Sequence, residues 1–90
     1  VKRDLALLID KQVTFSALRD VAFATERKLL KSVSLFDVYE GDKLPEGKKS
    51  YALSFILEDK TRTLDEKTIE KAMKNLTAQF EQRCGAQVRG

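Results

Sequence analysis

The chain has no histidine, a single cysteine and a single proline among its 90 residues, and each scarcity removes a class of function. Without imidazole there is no histidine general base, no Ser-His pairing and no His-containing metal site. A lone Cys84 cannot close an internal disulfide and offers neither a ligand pair nor a redox motif. With no signal-like segment either, a reducing, cytoplasmic compartment is expected. Glycine-rich phosphate loops are missing: there is no Walker-type glycine-lysine run and no GxGxxG. No membrane anchor is expected either, since the longest uncharged run near the start, Leu5 to Ile9, falls far short of the roughly 20 residues that a membrane span needs. Adjacent acids do occur at Asp65 and Glu66, but at a helix start, where they complement the helix dipole.

What is present describes one folded domain. The chain is 42% hydrophobic and 34% charged, the profile of a compact domain rather than a disordered tail. Its length suits a single core without a separate catalytic domain. A net charge of +3 with mixed signs along the chain is compatible with a polyanionic partner but does not name one. The chain opens at Val1 without an initiator methionine and reads as a piece of a longer polypeptide.

Periodicity lays out six elements. Asp4 to Ile9 is a short apolar run of strand length. Thr14 or Ser16 can cap a helix over 15–30, in which Leu18, Val21, Ala22, Thr25 and Leu29 keep helical spacing. Val33 to Glu40 and Lys49 to Glu58 read as strands, joined by a polar loop that Gly41, Pro45 and Gly47 punctuate. Asp65 can cap a second helix, with Leu64 before it packing on Ile69. Ile69, Ala72, Met73, Leu76, Phe80 and Cys84 form the apolar stripe of that helix, and Gly85 is placed to end it. Ala86 to Arg89 is a short last strand. The order β-α-β-β-α-β predicts an α+β, ferredoxin-like sandwich: a four-stranded antiparallel sheet with both helices on one face.

Such a sheet leaves its other face open, and alternation sorts the side chains. Tyr51, Leu53, Phe55 and Leu57 are expected to face the helices, and Ser50, Ala52, Ser54 and Ile56 the open side. The same alternation buries Leu5, Leu7 and Ile9 and exposes Ala6 and Leu8. In the second strand it turns Phe36 and Val38 inward and Leu35, Asp37 and Tyr39 outward. The open face is then a platform of small side chains bordered by Tyr39, with Arg3, Lys48, Lys49 and Arg89 near strand ends. An aromatic at such a margin can stack a base. Blander accounts stand beside this one: Tyr39 as an edge aromatic, Lys48 and Lys49 as edge protection, and the small residues as an interface with another domain.

Three blocks in order carry a family resemblance: Arg3-Asp4-Leu5-Ala6; the pair Leu35-Phe36-Asp37-Val38-Tyr39-Glu40-Gly41 and Leu44-Pro45-Glu46-Gly47-Lys48-Lys49-Ser50; and Arg62-Thr63-Leu64. With Gly85 and Arg89 closing the chain, it resembles the C-terminal ferredoxin-fold anticodon-binding domain of bacterial phenylalanyl-tRNA synthetase beta subunits over essentially its whole length. The resemblance implies a module without an active site that binds the anticodon stem-loop of tRNA(Phe). The parent ligase would belong to an α2β2 assembly whose alpha subunit uses ATP and magnesium to aminoacylate the tRNA. It also implies Ala6 as a platform position, Tyr39 as a stacking ring and Ser50 as a hydrogen-bonding hydroxyl. Arg3, Lys48, Lys49 and Arg89 are phosphate-contact candidates from charge and location alone. The sheet lacks the aromatic-rich RNP1 pattern, so multi-base stacking is not implied. A structural domain docking on other parts of the parent chain is the competing reading, motivated by Leu8, Leu35 and Ile56 on the supposed open face. An acylphosphatase-like hydrolase on this scaffold would need an arginine-bearing phosphate loop, which is lacking.

Overall fold

A computed structural model describes residues 1–41, 43–61 and 63–88. The elements run β1 (Lys2–Asp10), α1 (Phe15–Thr25), β2 (Leu30–Tyr39), β3 (Lys48–Leu57), α2 (Glu66–Cys84) and β4 (Gln87–Val88). The strands form one sheet in the order β2-β3-β1-β4, with every neighbouring pair antiparallel. This is the expected ferredoxin-like topology. Asp42, Arg62 and Arg89 lie outside the described residues, so the expected strand over Ala86 to Arg89 is seen as Gln87–Val88 with Ala86 buried just before it.

Both helices cover one face. Leu18 and Ala22 of α1 and Ile69, Ala72, Leu76 and Phe80 of α2 share a single buried cluster with Leu7 and Ile9 of β1 and Leu53, Phe55 and Leu57 of β3. The Phe55 and Phe80 rings meet with centroids 6.1 Å apart, and burying each large side chain of this kind contributes about 1.5–3 kcal/mol. Local signals agree with this packing. The Thr14 hydroxyl accepts from the Ala17 amide at 3.1 Å, and the Asp65 carboxylate accepts from the Thr68 amide at 2.8 Å, so both helices begin where their caps predict. Leu64 packs against the cluster that holds Ile69. Gly85 closes α2 at φ 64° and ψ 24°, the left-handed conformation that glycine takes without steric cost.

Helix α1 stops at Thr25, five residues before the expected Leu30. Leu29 and Leu30 continue the apolar spacing, but they are buried because the chain there crosses into the sheet: Glu58 N–H donates to Leu29 O at 2.8 Å, and Leu30 pairs with Leu57. Strand pairing overrides the helical pattern.

The alternation expected in β2 also fails at one point. Leu35 stands opposite buried Leu53 and packs against the core, whereas Asp37, two residues on, stands opposite Ala52. A β-bulge at Phe36 absorbs the extra residue, so Leu35 faces inward rather than outward and Phe36, at 58% exposure, is not buried. Val38 does lie opposite Tyr51 on the helix side, but on an edge strand where it stays 47% exposed. Past the bulge the phase is restored, and Asp37 and Tyr39 face outward as expected.

Candidate nucleic-acid interface

Cross-strand register maps the open face as four rows running from β2 through β3 to β1. Tyr39, Ser50 and Leu8 form the first row, which Gln87 of β4 extends. Asp37, Ala52 and Ala6 form the second, Ser34, Ser54 and Asp4 the third, and Ser32, Ile56 and Lys2 the fourth. Residues two apart along each strand share this face because side chains alternate. Three of the expected contacts therefore converge: Tyr39 and Ser50 are direct neighbours, and Ala6 sits in the adjacent row.

The exposures differ within this group. Tyr39 is 43% exposed, Ser50 is 8% exposed on the central strand β3, and Ala6 and Ala52 are half-buried. The arrangement is an accessible ring beside a shallow floor of small side chains, a surface onto which a planar group can lie flat.

The four cations divide. Lys48 lies on the open side opposite Asp10, with its ammonium 2.6 Å from the Asp10 carboxylate. Arg3 lies opposite core residue Phe55, hence on the helix side, where its guanidinium meets Glu66 of α2 at 3.3 Å. Lys49 lies opposite buried Ile9, also on the helix side. It is 7% exposed, and its ammonium donates to Tyr51 Oη at 2.9 Å and sits 4.4 Å from that ring's centroid. Arg89 is outside the described residues. Geometry thus brings Lys48 to the face of Ala6, Tyr39 and Ser50 and keeps Arg3 and Lys49 off it.

Register also adds polar residues that were not among the expected contacts. Asp4 and Asp37 are exposed carboxylates on the open face. Ser54 is 6% exposed, and its hydroxyl has no hydrogen-bond partner among the described residues. Asp4 precedes Ala6 by two residues, so strand alternation from Ala6 was the signal that could have found it.

The loop after the platform is built by turns. Leu44 N–H donates to Gly41 O at 3.1 Å, Lys48 N–H to Pro45 O at 3.2 Å, and Lys11 N–H to Gly47 O at 3.0 Å. Gly47 adopts φ +80°. Cys84 carries no chemistry here: it packs partly buried against the core, burial pushes its thiol above the ordinary value, and the Arg83 guanidinium pulls it partly back. Among the described residues no group of three or more His, Cys, Asp or Glu could hold a metal ion, and no helix is long and apolar enough to cross a membrane.

A family model described as the ferredoxin-fold anticodon binding domain matches residues 1–89. The chain belongs to this family. Its relatives among curated proteins are named phenylalanine–tRNA ligase beta subunits. That of Bacteroides fragilis is 56% identical over 89 residues, covering 99% of this chain and 11% of the relative. That of Porphyromonas gingivalis is 54% identical over 89 residues, again 99% and 11%. That of Geobacillus kaustophilus is 42% identical over 90 residues, 100% and 11%. The anticodon-binding domain described here therefore spans about a ninth of the length of the relatives it matches.

Proposed function

We propose that this chain is the part of a phenylalanine–tRNA ligase beta subunit that binds the anticodon stem-loop of tRNA(Phe), and that it does so with the open face of its sheet. The observation that carries this reading is the juxtaposition of an exposed Tyr39 ring with Ser50 and the Ala52–Ala6 floor, on the one sheet face that the helices leave uncovered. An unstacked base lies on the Tyr39 ring, with Ser50 and the backbone beneath Ala6 within reach of its edge. Lys48, and Arg89 near the end of the chain, serve as phosphate contacts that fix the register of the RNA without reading sequence. Arg3 and Lys49, directed to the helix side, act on the RNA only through long-range charge.

The parent protein supports aminoacylation of tRNA(Phe) as an α2β2 cytoplasmic ligase. The ATP and magnesium of that reaction are assigned to the parent assembly rather than to this chain. They belong with the chemistry of the alpha subunit.

The test is a titration of this chain with the stem-loop. Binding is expected to weaken with salt, and Tyr39→Ala to cost ~1–3 kcal/mol of affinity. Absence of binding at millimolar protein, or affinity indifferent to salt, would overturn the proposal.

A second reading, docking on other parts of the parent chain, is favoured by the exposed Phe36 and Val38 on edge strand β2. Its original motive is weaker, because Leu35 packs inward while Leu8 and Ile56 are half-buried. A strict monomer by light scattering, with stem-loop perturbing amide signals of the open face, would remove it.

A further inference from the structure

We infer that the third row of the open face, Ser34–Ser54–Asp4, is a second subsite, which takes an unpaired nucleobase by an edge bearing an exocyclic amine. The inference rests on the RNA-binding reading and deepens it. Ser54 and Ser50 are four residues apart on β3, which at strand rise places this row about 14 Å from the Tyr39 row. A base held here belongs to a different nucleotide from the one on the ring.

The chemistry of the row selects the ligand. Its floor is the Ser54 hydroxyl, 6% exposed and without a hydrogen-bond partner among the described residues. Leaving such a group unpaired is costly, and a serine oxygen can both donate and accept. Its neighbours across the sheet, Ser34 and Asp4, are both exposed. At usual strand spacing they stand about 10 Å apart, room for one base edge between them.

Asp4 sets the polarity. As an ionised carboxylate it only accepts, and neither ion pair among the described residues, Arg3–Glu66 and Lys48–Asp10, involves it. Asp37 adds a second carboxylate in the adjacent row, and Lys2 stands in the row beyond. A phosphate is repelled from this place. An exocyclic amine supplies two N–H donors, one for Asp4 and one for Ser54, and the neighbouring ring nitrogen of adenine or cytosine can accept from a serine hydroxyl. Uracil would direct carbonyl oxygens at the carboxylate and is disfavoured.

The experiment measures binding of this chain to the tRNA(Phe) anticodon stem-loop by fluorescence anisotropy. It compares wild type, Asp4→Asn, Ser54→Ala and Tyr39→Ala, on the natural loop and on loops in which each amine-bearing unpaired base is replaced singly by its desamino analogue. Asp4→Asn keeps the volume of an exposed side chain, so folding is preserved, and amide spectra verify this. The expected result is about a tenfold loss for Asp4→Asn, as for other charge-assisted hydrogen bonds, and a smaller loss for Ser54→Ala. One desamino loop should bind wild type equally weakly and lose nothing further with Asp4→Asn, while the Tyr39→Ala loss adds independently. Folded Asp4→Asn protein binding within twofold of wild type, or losing the same factor on every desamino loop, would overturn the subsite while Tyr39-dependent binding still stands. If wild type does not bind the stem-loop, the underlying reading of the face falls, and the subsite with it.

Discussion

A Cβ built on Gly41 would lie 2.7 Å from Tyr39 Oη and 2.9 Å from its Cζ, closer than side-chain carbons approach without displacing a neighbour. The glycine thus leaves the room in which the ring rests at the margin of the platform. Gly41→Ala should swing the ring away and forfeit part of the ~1–3 kcal/mol that base stacking supplies. Because the ring is exposed, unfolding in urea should change by no more than about 0.5 kcal/mol. An altered Tyr39 ring resonance with weakened stem-loop binding and unchanged stability is the signature to look for. Tyr51 predicts the converse. Its hydroxyl accepts from the Lys49 ammonium, which is 7% exposed, so Tyr51→Phe leaves a buried donor unsatisfied and should cost about 1–3 kcal/mol in urea unfolding. Stem-loop affinity should hold, since Tyr51 is on the helix side. Residue type made Lys48 and Lys49 look equivalent in the sequence. Their opposite fates come from alternation, which sends Lys48 to Asp10 on the open face and Lys49 into contact with Tyr51.

At the scale of elements, the parts with local causes were legible: the cap at Asp65, the first helix's cap at Thr14 as one of two candidates with Ser16, the glycine closing α2, and the alternation of β3. The misread parts have non-local causes. Leu29 and Leu30 fit a helix by spacing, and only pairing with β3 draws Leu30 into a strand. The β2 bulge leaves no mark in the sequence, because Leu-Phe-Asp-Val-Tyr alternates acceptably in either phase until one sees Leu35 beside Leu53. The outward placement expected for Tyr39 and Ser50 survives this error, because the pair lies beyond the bulge, where the phase is restored. That geometry makes a prediction about the bulged residue. Removing Phe36 leaves Leu35 inward, Asp37 outward, Val38 inward and Tyr39 outward in unbroken alternation. The deletion should therefore cost about 1 kcal/mol or less in thermal unfolding and preserve stem-loop binding. A collapse of either would mean that the bulge itself shapes the site.

The whole molecule carries +3 at neutral pH, yet net charge overstates what an RNA backbone meets. Of the four candidate phosphate cations, Arg3 is turned to Glu66, Lys49 is enclosed beside Tyr51, and Lys48 shares its charge with Asp10. The open face itself carries Asp4, Asp37 and Asp10. On the proposed RNA-binding reading, bases rather than phosphates are what such a face would hold closely, with the backbone running along its margins. The number of displaced counterions reports this division directly. If all four cations contacted phosphates, the logarithmic salt dependence of stem-loop affinity would have a slope of about −2.8, whereas contacts by Lys48 and Arg89 alone give about −1.4. The expected measurement is the shallower slope, with Arg3→Gln and Lys49→Met leaving it unchanged and Lys48→Gln reducing it by about 0.7. A slope near the steeper value would mean that Arg3 and Lys49 abandon their partners when RNA binds, and that the edge cations rather than the platform dominate recognition.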